Sequence, residues 1–363
     1  MKNACLLIGE GVDALTFPLR KFTALIESGG YEVEETRILS VKTPDTVKAA
    51  LIDLKSGYDN VFLFSPSSLL SKLRGLLEEA FSRNCFQGGE KGLGAYTEEG
   101  KSLFLVSDGE RGEEYLRGVC LPYLDEKYAS KHAKFTLRAV GADPTTLARL
   151  LAQGEGLGGG LRFLHRRLYG EDVVEIVYDQ NAPRMLTDEV LRLFAEGLGE
   201  SLYALDDTPL EEQLVALLKL RGKKLAVAES FTGGGVGRRV VSVAGASKVF
   251  SEGLNTYSEA SKIKRLGVSE YTLNSYGAVS KETAYEMAAG LLSSGAQVAI
   301  ATTGLAGPES DSSGLPVGVC CIAIGIEDKV FVSRYKLSGD RTEITETAIN
   351  YALFLACKQL KKM

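Results

Sequence analysis

The sequence predicts an α/β protein whose two larger parts, at the ends of the chain, flank a small α+β module. Apolar runs alternate with amphipathic segments over the first 132 residues, as when each strand of a parallel sheet leads into a helix. A second alternation begins after residue 206. Between them lies a run with five glycines in seven positions, 154–160. A chain of 363 residues has room for two or three domains, and we place them at 1–132, 133–205 and 206–363.

The first part predicts a doubly wound parallel sheet. Four apolar runs predict its strands, at 4–8, 32–38, 61–64 and 103–106. Amphipathic stretches predict helices at 15–28, from about 43, and at 69–81. A glycine-bearing loop at 88–94 separates the last helix from the last strand.

The middle and last parts follow different patterns. Strands at 135–140 and 173–178 and helices at 145–152 and 187–198 predict a small α+β module, with 154–160 as a mobile loop. The last part predicts a helix at 210–220 with Thr208 as N-cap and Pro209 at its first position. Its further strands are predicted at 224–228, 249–257, 298–302, 317–324 and 330–337, and its further helices up to about 243, at 281–293 and at 343–360.

Composition and charge exclude several classes of function. The net charge is -5 without any block of like charge, which argues against direct nucleic-acid binding. No apolar run is long enough to span a bilayer and none resembles a signal peptide, so we expect a cytoplasmic protein without membrane contact. Six scattered cysteines and two histidines lack metal-ligand spacing. They predict reduced thiols and no metal site. We expect no organic cofactor either, because the reaction to which the motifs below point needs none.

A strand-to-helix turn around Ser230 is the strongest indication of chemistry. Ser230 follows the strand predicted at 224–228 and is itself followed by Thr232 and three glycines. At a helix start, unpaired backbone N–H groups can hold an anion or a developing oxyanion, and glycines let the backbone approach a ligand closely. A simple N-cap is the alternative interpretation of Ser230.

A lysine is the base that remains for a serine nucleophile in this part of the chain. Ser-His-Asp and Cys-His arrangements need a histidine, and both His132 and His165 lie far upstream. Lys262 follows a predicted strand directly. A lysine base must be neutral, so its pKa must fall from about 10.4 through burial or through nearby cations such as Lys264 and Arg265. A solvated surface lysine is the alternative.

Two further loops have compositions typical of ligand binding. Residues 302–308 follow a predicted strand, and Thr303, Gly304 and Gly307 leave space for a ligand or for backbone donors. A Ser-Gly-Asp-Arg turn precedes the last helix, where Arg341 could grip a phosphate with two N–H groups. For Arg341 the alternative is an exposed side chain in a helix-start motif.

Together these stretches resemble the CinA family (competence/damage-inducible protein), in particular its C-terminal nicotinamide-nucleotide amidase domain. Six short motifs match in the family's order, at 228–234, 257–262, 277–280, 303–308, 316–318 and 338–341. The resemblance implies hydrolysis of nicotinamide mononucleotide (NMN) to nicotinic acid mononucleotide and ammonia. It implies Ser230 as nucleophile, Lys262 as base and Tyr257 as an orienting hydroxyl. The residues implied to line the site or bind the nucleotide are Glu229, Thr232, Gly233, Gly234, Thr303, Gly304, Gly307 and Arg341.

Three places depart from the family pattern, although the nucleophile and the base are kept. Phe231 stands where a cysteine is usual, residues 258–261 differ from the common Ser-Asn-Glu-Ala, and residues 309–311 have fewer glycines than usual. These departures bear on substrate preference and rate rather than on reaction class.

The resemblance extends upstream in order and size. Residues 1–132 resemble the family's molybdopterin-binding-like domain, which hydrolyses ADP-ribose in some members, and residues 133–205 its small KH-like module. The glycine-rich Thr-Gly-Gly-Leu-Gly-Pro-Thr turn and the acids of that first domain are replaced here by Ser-Pro-Ser-Ser-Leu-Leu-Ser-Lys at 65–72. We therefore predict that pyrophosphatase activity is lost and that this domain serves as a scaffold or dimer interface.

Three other functions stand beside this prediction. Residues 9–14 match the loose dinucleotide fingerprint, with acids between 32 and 35, although a tight turn also explains these glycines and Pro18 falls inside the predicted helix. A non-catalytic regulatory or assembly role of the CinA type is the second alternative, and ADP-ribose hydrolysis by the first domain is the third. The main prediction is a Ser/Lys amidohydrolase of pyridine nucleotide salvage that forms a homodimer and takes a small nucleotide as substrate.

Overall fold

The computed structural model of the chain describes residues 1–11, 14, 16–81, 94–98, 100–129, 131–310 and 314–363. These residues form a mixed α/β protein with three β-sheets. They group into two compact units, the first of residues 1–134, 154–164 and 175–189, the second of residues 135–153, 165–174 and 190–363. The three-domain division at residues 132 and 205 stays a prediction. No helix in the described ranges is both long and apolar enough to cross a membrane.

Five strands form the sheet of the first unit: β1 (Asn3–Gly9), β2 (Glu35–Ser40), β3 (Asn60–Ser65), β4 (Gly94–Glu98) and β5 (Lys101–Ser107). Their order is β2–β1–β3–β5–β4. All neighbours pair in parallel except β4, which runs antiparallel to β5. The four predicted strands are confirmed. Strand β4 was not predicted because its Gly-Ala-Tyr-Thr-Glu sequence has no apolar run.

Helices cover both faces of this sheet, as predicted for a doubly wound arrangement. Successive residues of β1 enter different apolar clusters: Leu6 packs in the cluster of Leu51, whereas Leu7 packs in the cluster of Phe22. The helix predicted at 15–28 begins at Leu19, because Pro18 occupies its N-cap position. Of the loop predicted at 88–94, only Gly94 lies within the described residues. The helices are α1 (Leu19–Ser28), α2 (Pro44–Gly57), α3 (Leu70–Phe81), α4 (Gly109–Tyr115) and α5 (Leu121–Lys127), with a π-helical turn at Leu116–Cys120 between the last two.

A further sheet of four strands has the order β7–β8–β6–β9, where β6 is His132–Val140, β7 Arg162–Leu168, β8 Glu171–Asp179 and β9 Leu202–Ala204. Its helices are α6 (Pro144–Gly156) and α7 (Arg184–Leu198). Strand β7 was not predicted because its Arg and His side chains interrupt the apolar pattern. The predicted glycine loop starts later than expected, since α6 continues to Gly156.

The sheet of the second unit is mixed. Its order is β11–β10–β12–β13–β14, where β11, β10 and β12 pair in parallel and the last two strands are antiparallel. The strands are β10 (Leu225–Glu229), β11 (Phe250–Asn255), β12 (Val298–Gly304), β13 (Val319–Ile326) and β14 (Lys329–Lys336). The helices are α8 (Leu210–Arg221), α9 (Gly235–Val241), α10 (Glu259–Leu266), α11 (Glu270–Tyr276), α12 (Lys281–Ser293) and α13 (Arg341–Lys361).

Two predicted helix starts move by one or two residues. The N-cap of α8 is Pro209 rather than Thr208. Helix α13 begins at Arg341 instead of residue 343, because Asp340 caps it and forms a capping box with Glu343.

The three parallel strands bring separate parts of the sequence to one edge of the sheet. Glu229, the last residue of β10, lies opposite Asn255 of β11 and Thr302 of β12. The residues that follow these strand ends therefore meet at the carboxyl edge, where ligand sites of α/β sheets usually form.

Candidate active site

Backbone hydrogen bonds hold the carboxyl edge of the second sheet together. The amide of Ser230 donates to the carbonyl of Thr302 at 3.0 Å, and the amide of Thr256 donates to the carbonyl of Glu229 at 2.7 Å. The turn after β10 is thereby fixed to both neighbouring strands.

Ser230 and Lys262 meet at this edge. The Lys262 Nζ lies 3.0 Å from the Ser230 Oγ, 2.7 Å from the carbonyl oxygen of Thr256 and 3.2 Å from that of Tyr257. Lys262 is 1% exposed and Ser230 7%. A charged ammonium would donate to all three oxygens. A neutral amine has two N–H groups for the two carbonyls and one lone pair, which can accept the hydroxyl proton of Ser230.

Burial makes the neutral form of Lys262 accessible. It lowers the pKa of Lys262 from 10.5 to about 8, against a smaller opposing effect of the Glu259 carboxylate. The predicted help from nearby cations is not observed, because Lys264 and Arg265 on the same helix are exposed and do not contribute to this shift. The carbonyls of Thr256 and Tyr257 were not foreseen as partners, since no side-chain motif marks a backbone acceptor.

The buried side chain of Glu229 holds the loop after β10 through hydrogen bonds. Its carboxylate is 1% exposed and accepts from the Thr232 hydroxyl at 2.7 Å. It also accepts from the amides of Gly234, Val236 and Gly237 at 3.1, 3.0 and 2.8 Å. Glu229 was predicted to line the site or bind substrate. Because four donors already satisfy the carboxylate, we infer instead that it fixes the shape of the loop.

The amides predicted to hold the oxyanion are therefore already engaged. Three of those at the start of α9 donate to Glu229, and those of Gly233 and Gly235 donate to the carbonyls of Ser230 and Thr232. In the turn from Ser230 to Gly237, all of which the structure describes, the amides of Phe231 and Thr232 have no hydrogen-bond partner. These two amides adjoin Ser230, the predicted nucleophile, and are the donors that remain for an oxyanion.

Other groups of this turn hold its shape. Gly233 and Gly234 have φ angles of +61° and +95°, which favour glycine. The Thr232 hydroxyl is engaged with Glu229 and with the Thr302 hydroxyl, 2.7 Å away. The ring of Phe231 is buried in an apolar cluster that includes Cys320 and Ile344.

The loop after β12 was predicted to leave space for a ligand. Instead, a Cβ on Gly304 would lie 2.6 Å from the Cβ of Cys320 and 2.9 Å from a carbon of the Phe231 ring, so Gly304 makes room for these two side chains. The hydroxyl of Thr303 donates to the carbonyl of Ala278 at 2.6 Å and is 1% exposed. Gly307, at a φ of +84°, offers its carbonyl to the Arg341 guanidinium.

Arg341 and Tyr257 lie together at the exposed side of the site. One guanidinium nitrogen of Arg341 donates to Gly307, and the other is 3.5 Å from the Tyr257 hydroxyl. Both side chains are exposed. Tyr257 was predicted to orient the catalytic pair through its hydroxyl, but it is the backbone carbonyl of Tyr257 that contacts Lys262.

The first unit has a cavity beside the carboxyl ends of β3 and β5. Its volume is about 320 Å³, and it is lined by Thr16, Phe17, Pro66, Ser67, Ser68 and Asp108. The amide and hydroxyl of Ser67 both donate to the Asp108 carboxylate. Among the residues that the structure describes, no three His, Cys, Asp or Glu side chains are placed to hold a metal ion.

The alternative dinucleotide site in this unit gains no support. A Cβ on Gly9 would lie 2.5 Å from that of Ala14, which is the geometry of a tight turn. Glu35, one of the acids proposed for a ribose contact, is already bonded to Arg37 and to the Tyr58 hydroxyl. Val12 and Asp13 of the motif lie outside the described residues.

The domain that carries the site is thus of the α/β class, with a buried serine–lysine pair at the carboxyl edge of its sheet. Residues 207–360 match the model of the CinA C-terminal domain. Through this domain the chain belongs to the CinA family.

Relatives share this part of the chain. A CinA-like protein of Kosmotoga olearia is 44% identical over 159 residues, which is 44% of this chain and 39% of that protein. A CinA-like protein of Chloroherpeton thalassium is 37% identical over 232 residues, 60% of this chain and 53% of that protein. The chain thus spans only about half, or less, of the length of these relatives. The crystal structure of a CinA superfamily protein from Klebsiella pneumoniae is 30% identical, covering 42% of this chain and 97% of that one, with a TM-score of 0.42.

Proposed function

We propose that the second unit is an amidohydrolase that converts NMN to nicotinic acid mononucleotide and ammonia, a step of pyridine nucleotide salvage. The observation that carries the proposal is the Lys262 amine, buried and with a pKa of about 8, 3.0 Å from the Ser230 hydroxyl. The CinA domain is associated with NMN deamidase activity, and none of the relatives' names states it.

The first half of the proposed reaction forms an ester on the serine. Neutral Lys262 accepts the proton of Ser230 while the serine oxygen attacks the carboxamide carbon. The amides of Phe231 and Thr232 donate to the developing oxyanion. When the tetrahedral intermediate collapses, the carbon–nitrogen bond breaks and the ammonium of Lys262 returns its proton to the leaving amide nitrogen, which departs as ammonia.

The second half releases the acid. Lys262 accepts a proton from a water molecule, which attacks the ester carbon, and then returns that proton to the Ser230 oxygen. The carboxylic acid leaves with its nucleotide intact. The two protonation states of one lysine serve both halves, which is consistent with a pKa near the working pH.

The groups around the pair support NMN as the substrate. The positive pyridinium ring of NMN makes its amide carbon more electrophilic than that of a neutral amide. Arg341 is exposed and retains N–H donors beyond its contacts with Gly307 and Tyr257, so it can bind a phosphate.

The experiment that tests this function measures ammonia and acid release from NMN in metal-free buffer. We expect turnover of NMN and much slower turnover of nicotinamide, which has neither the phosphate nor the positive ring. Folded protein that releases no ammonia from NMN would overturn the proposal and favour the non-catalytic alternative.

A further inference from the structure

Tyr257 presents an aromatic ring to solvent at the entrance of the candidate site. Its residue is 65% exposed, although Thr256 before it and Lys262 are each 1% exposed. Within the described part of the chain, no aromatic ring or cation stacks on Tyr257. An exposed, unstacked ring is a surface that a ligand can cover.

The position of this ring follows from contacts at the two ends of the residue. The backbone carbonyl of Tyr257 accepts from Lys262 at 3.2 Å, and the hydroxyl lies 3.5 Å from Arg341. The residue therefore extends from the serine–lysine pair to the guanidinium. In NMN, the pyridinium ring lies between the carboxamide and the phosphate in the same way.

We propose that the face of the Tyr257 ring binds the positively charged pyridinium ring of the substrate. This inference rests on the proposed function and adds a residue that determines specificity. A cation over the face of a tyrosine is attracted by the negative charge of the π-system, and this attraction needs no hydroxyl. It selects an oxidised, positively charged nicotinamide ring over an uncharged one.

The test is a binding measurement that separates ring charge from ring shape. In a Ser230→Ala background, which prevents turnover, NMN and its uncharged 1,4-dihydro form are titrated by calorimetry. We expect Tyr257→Leu to weaken NMN binding about 3- to 30-fold, the range that cation–π energies give, and to change binding of the dihydro form less than about twofold. Tyr257→Phe should bind NMN almost as wild type does.

Kinetics and a matched control complete the test. With Ser230 present, Tyr257→Leu should raise KM for NMN and leave kcat nearly unchanged, because the ring contacts substrate and transition state alike. Tyr271→Leu removes another exposed tyrosine, 71% accessible on α11, and should change neither constant.

Three results would overturn the inference while the proposed function stands. They are unchanged NMN binding in Tyr257→Leu, an equal loss for the charged and uncharged rings, and a loss in Tyr257→Phe as large as in Tyr257→Leu. The last would return Tyr257 to an orienting role through its hydroxyl. Failure of the wild-type protein both to bind NMN and to release ammonia would overturn the inference and the proposed function together.

Discussion

Each compact unit has a lysine–serine pair, and the distance between the lysine Nζ and the serine Oγ is the same in both. In the second unit the Lys262 Nζ lies 3.0 Å from the Ser230 Oγ, and in the first the Lys127 Nζ lies 3.0 Å from the Ser102 Oγ. Burial lowers the pKa of both lysines. Distance and a lowered pKa therefore do not by themselves single out the pair that we propose to be reactive.

The surroundings of the two pairs differ. Lys127 also donates to the Asn60 side chain, and Asn60 and Ser102 lie at the amino ends of β3 and β5. The Ser102 amide donates to the Asp59 carbonyl, so it offers nothing to an oxyanion. Ser230 instead lies at the carboxyl edge, next to two unpaired amides. Under the proposed function, the oxyanion donors beside Ser230 are the feature that separates its pair from that of Ser102.

The largest expected effect separates the two serines. Ser230→Ala should reduce ammonia release from NMN about a thousandfold or more, because it removes the nucleophile. Ser102→Ala should leave kcat/KM unchanged. Steady-state rates of both variants, with circular dichroism as the check on folding, make the measurement. Comparable losses in the two variants would mean that the comparison between the units is wrong.

The two lysines are expected to differ almost as much. Lys262→Met keeps the length of the side chain but removes the base, so activity should fall about 100- to 10,000-fold. Lys127→Met should keep full activity and lower the thermal midpoint, because loss of its hydrogen bonds to Asn60 and Ser102 costs about 1–3 kcal/mol. Activity assays and thermal unfolding of both variants check this. Full activity in Lys262→Met would remove the lysine from the mechanism.

The sequence was sufficient to propose the pair of Ser230 and Lys262, but not the pair of Ser102 and Lys127. Elimination of histidine, together with the motifs around both residues, pointed to Ser230 and Lys262, and the structure brings them together. Lys127 and Ser102 belong to no motif, and only the folded sheet places them side by side. The strand alternation likewise predicted the parallel strands, whereas β4 and β7 lack the apolar pattern that a prediction needs.

The role of Glu229 could not be predicted for a related reason. Its place beside Ser230 indicated a site residue, but the direction of its carboxylate depends on how the glycines at 233 and 234 turn the chain. Positive φ angles at these two residues wrap the loop around the carboxylate. Such tertiary hydrogen bonding leaves no periodic pattern in a sequence.

The pH dependence of the reaction should follow the deprotonation of Lys262. Since the base must be neutral and its pKa is about 8, kcat/KM should rise about tenfold per pH unit below that value and level off above it. The unfolded chain binds this proton more tightly than the folded protein does. The free energy of unfolding should therefore also rise with pH between about 8 and 10.5. Rate profiles from pH 6 to 10, with Lys127→Met as control, check the first part. A profile that falls over this range would contradict a neutral lysine base.

The smallest expected effect concerns two carboxylates. Glu229 holds the loop after β10 in the second unit, and Asp108 holds the loop after β3 in the first. Glu229 is buried and has four donors, whereas Asp108 is half-buried and has two donors from a single residue, Ser67. Glu229→Gln places an amide opposite backbone donors. It should lower the free energy of unfolding by about 2–4 kcal/mol, and Asp108→Asn by less than about 1 kcal/mol, because water can replace its bonds.

Hydrogen exchange can locate this effect. In Glu229→Gln the amides of Gly234, Val236 and Gly237 should exchange faster, since each loses a charged acceptor. Activity should fall about tenfold, because a loosened loop no longer holds the Phe231 and Thr232 amides at the positions of an oxyanion hole. Unchanged exchange together with lost activity would place Glu229 in direct contact with the substrate, as its position beside the nucleophile first indicated. The buried carboxylate would then have a second role that its four hydrogen bonds do not reveal.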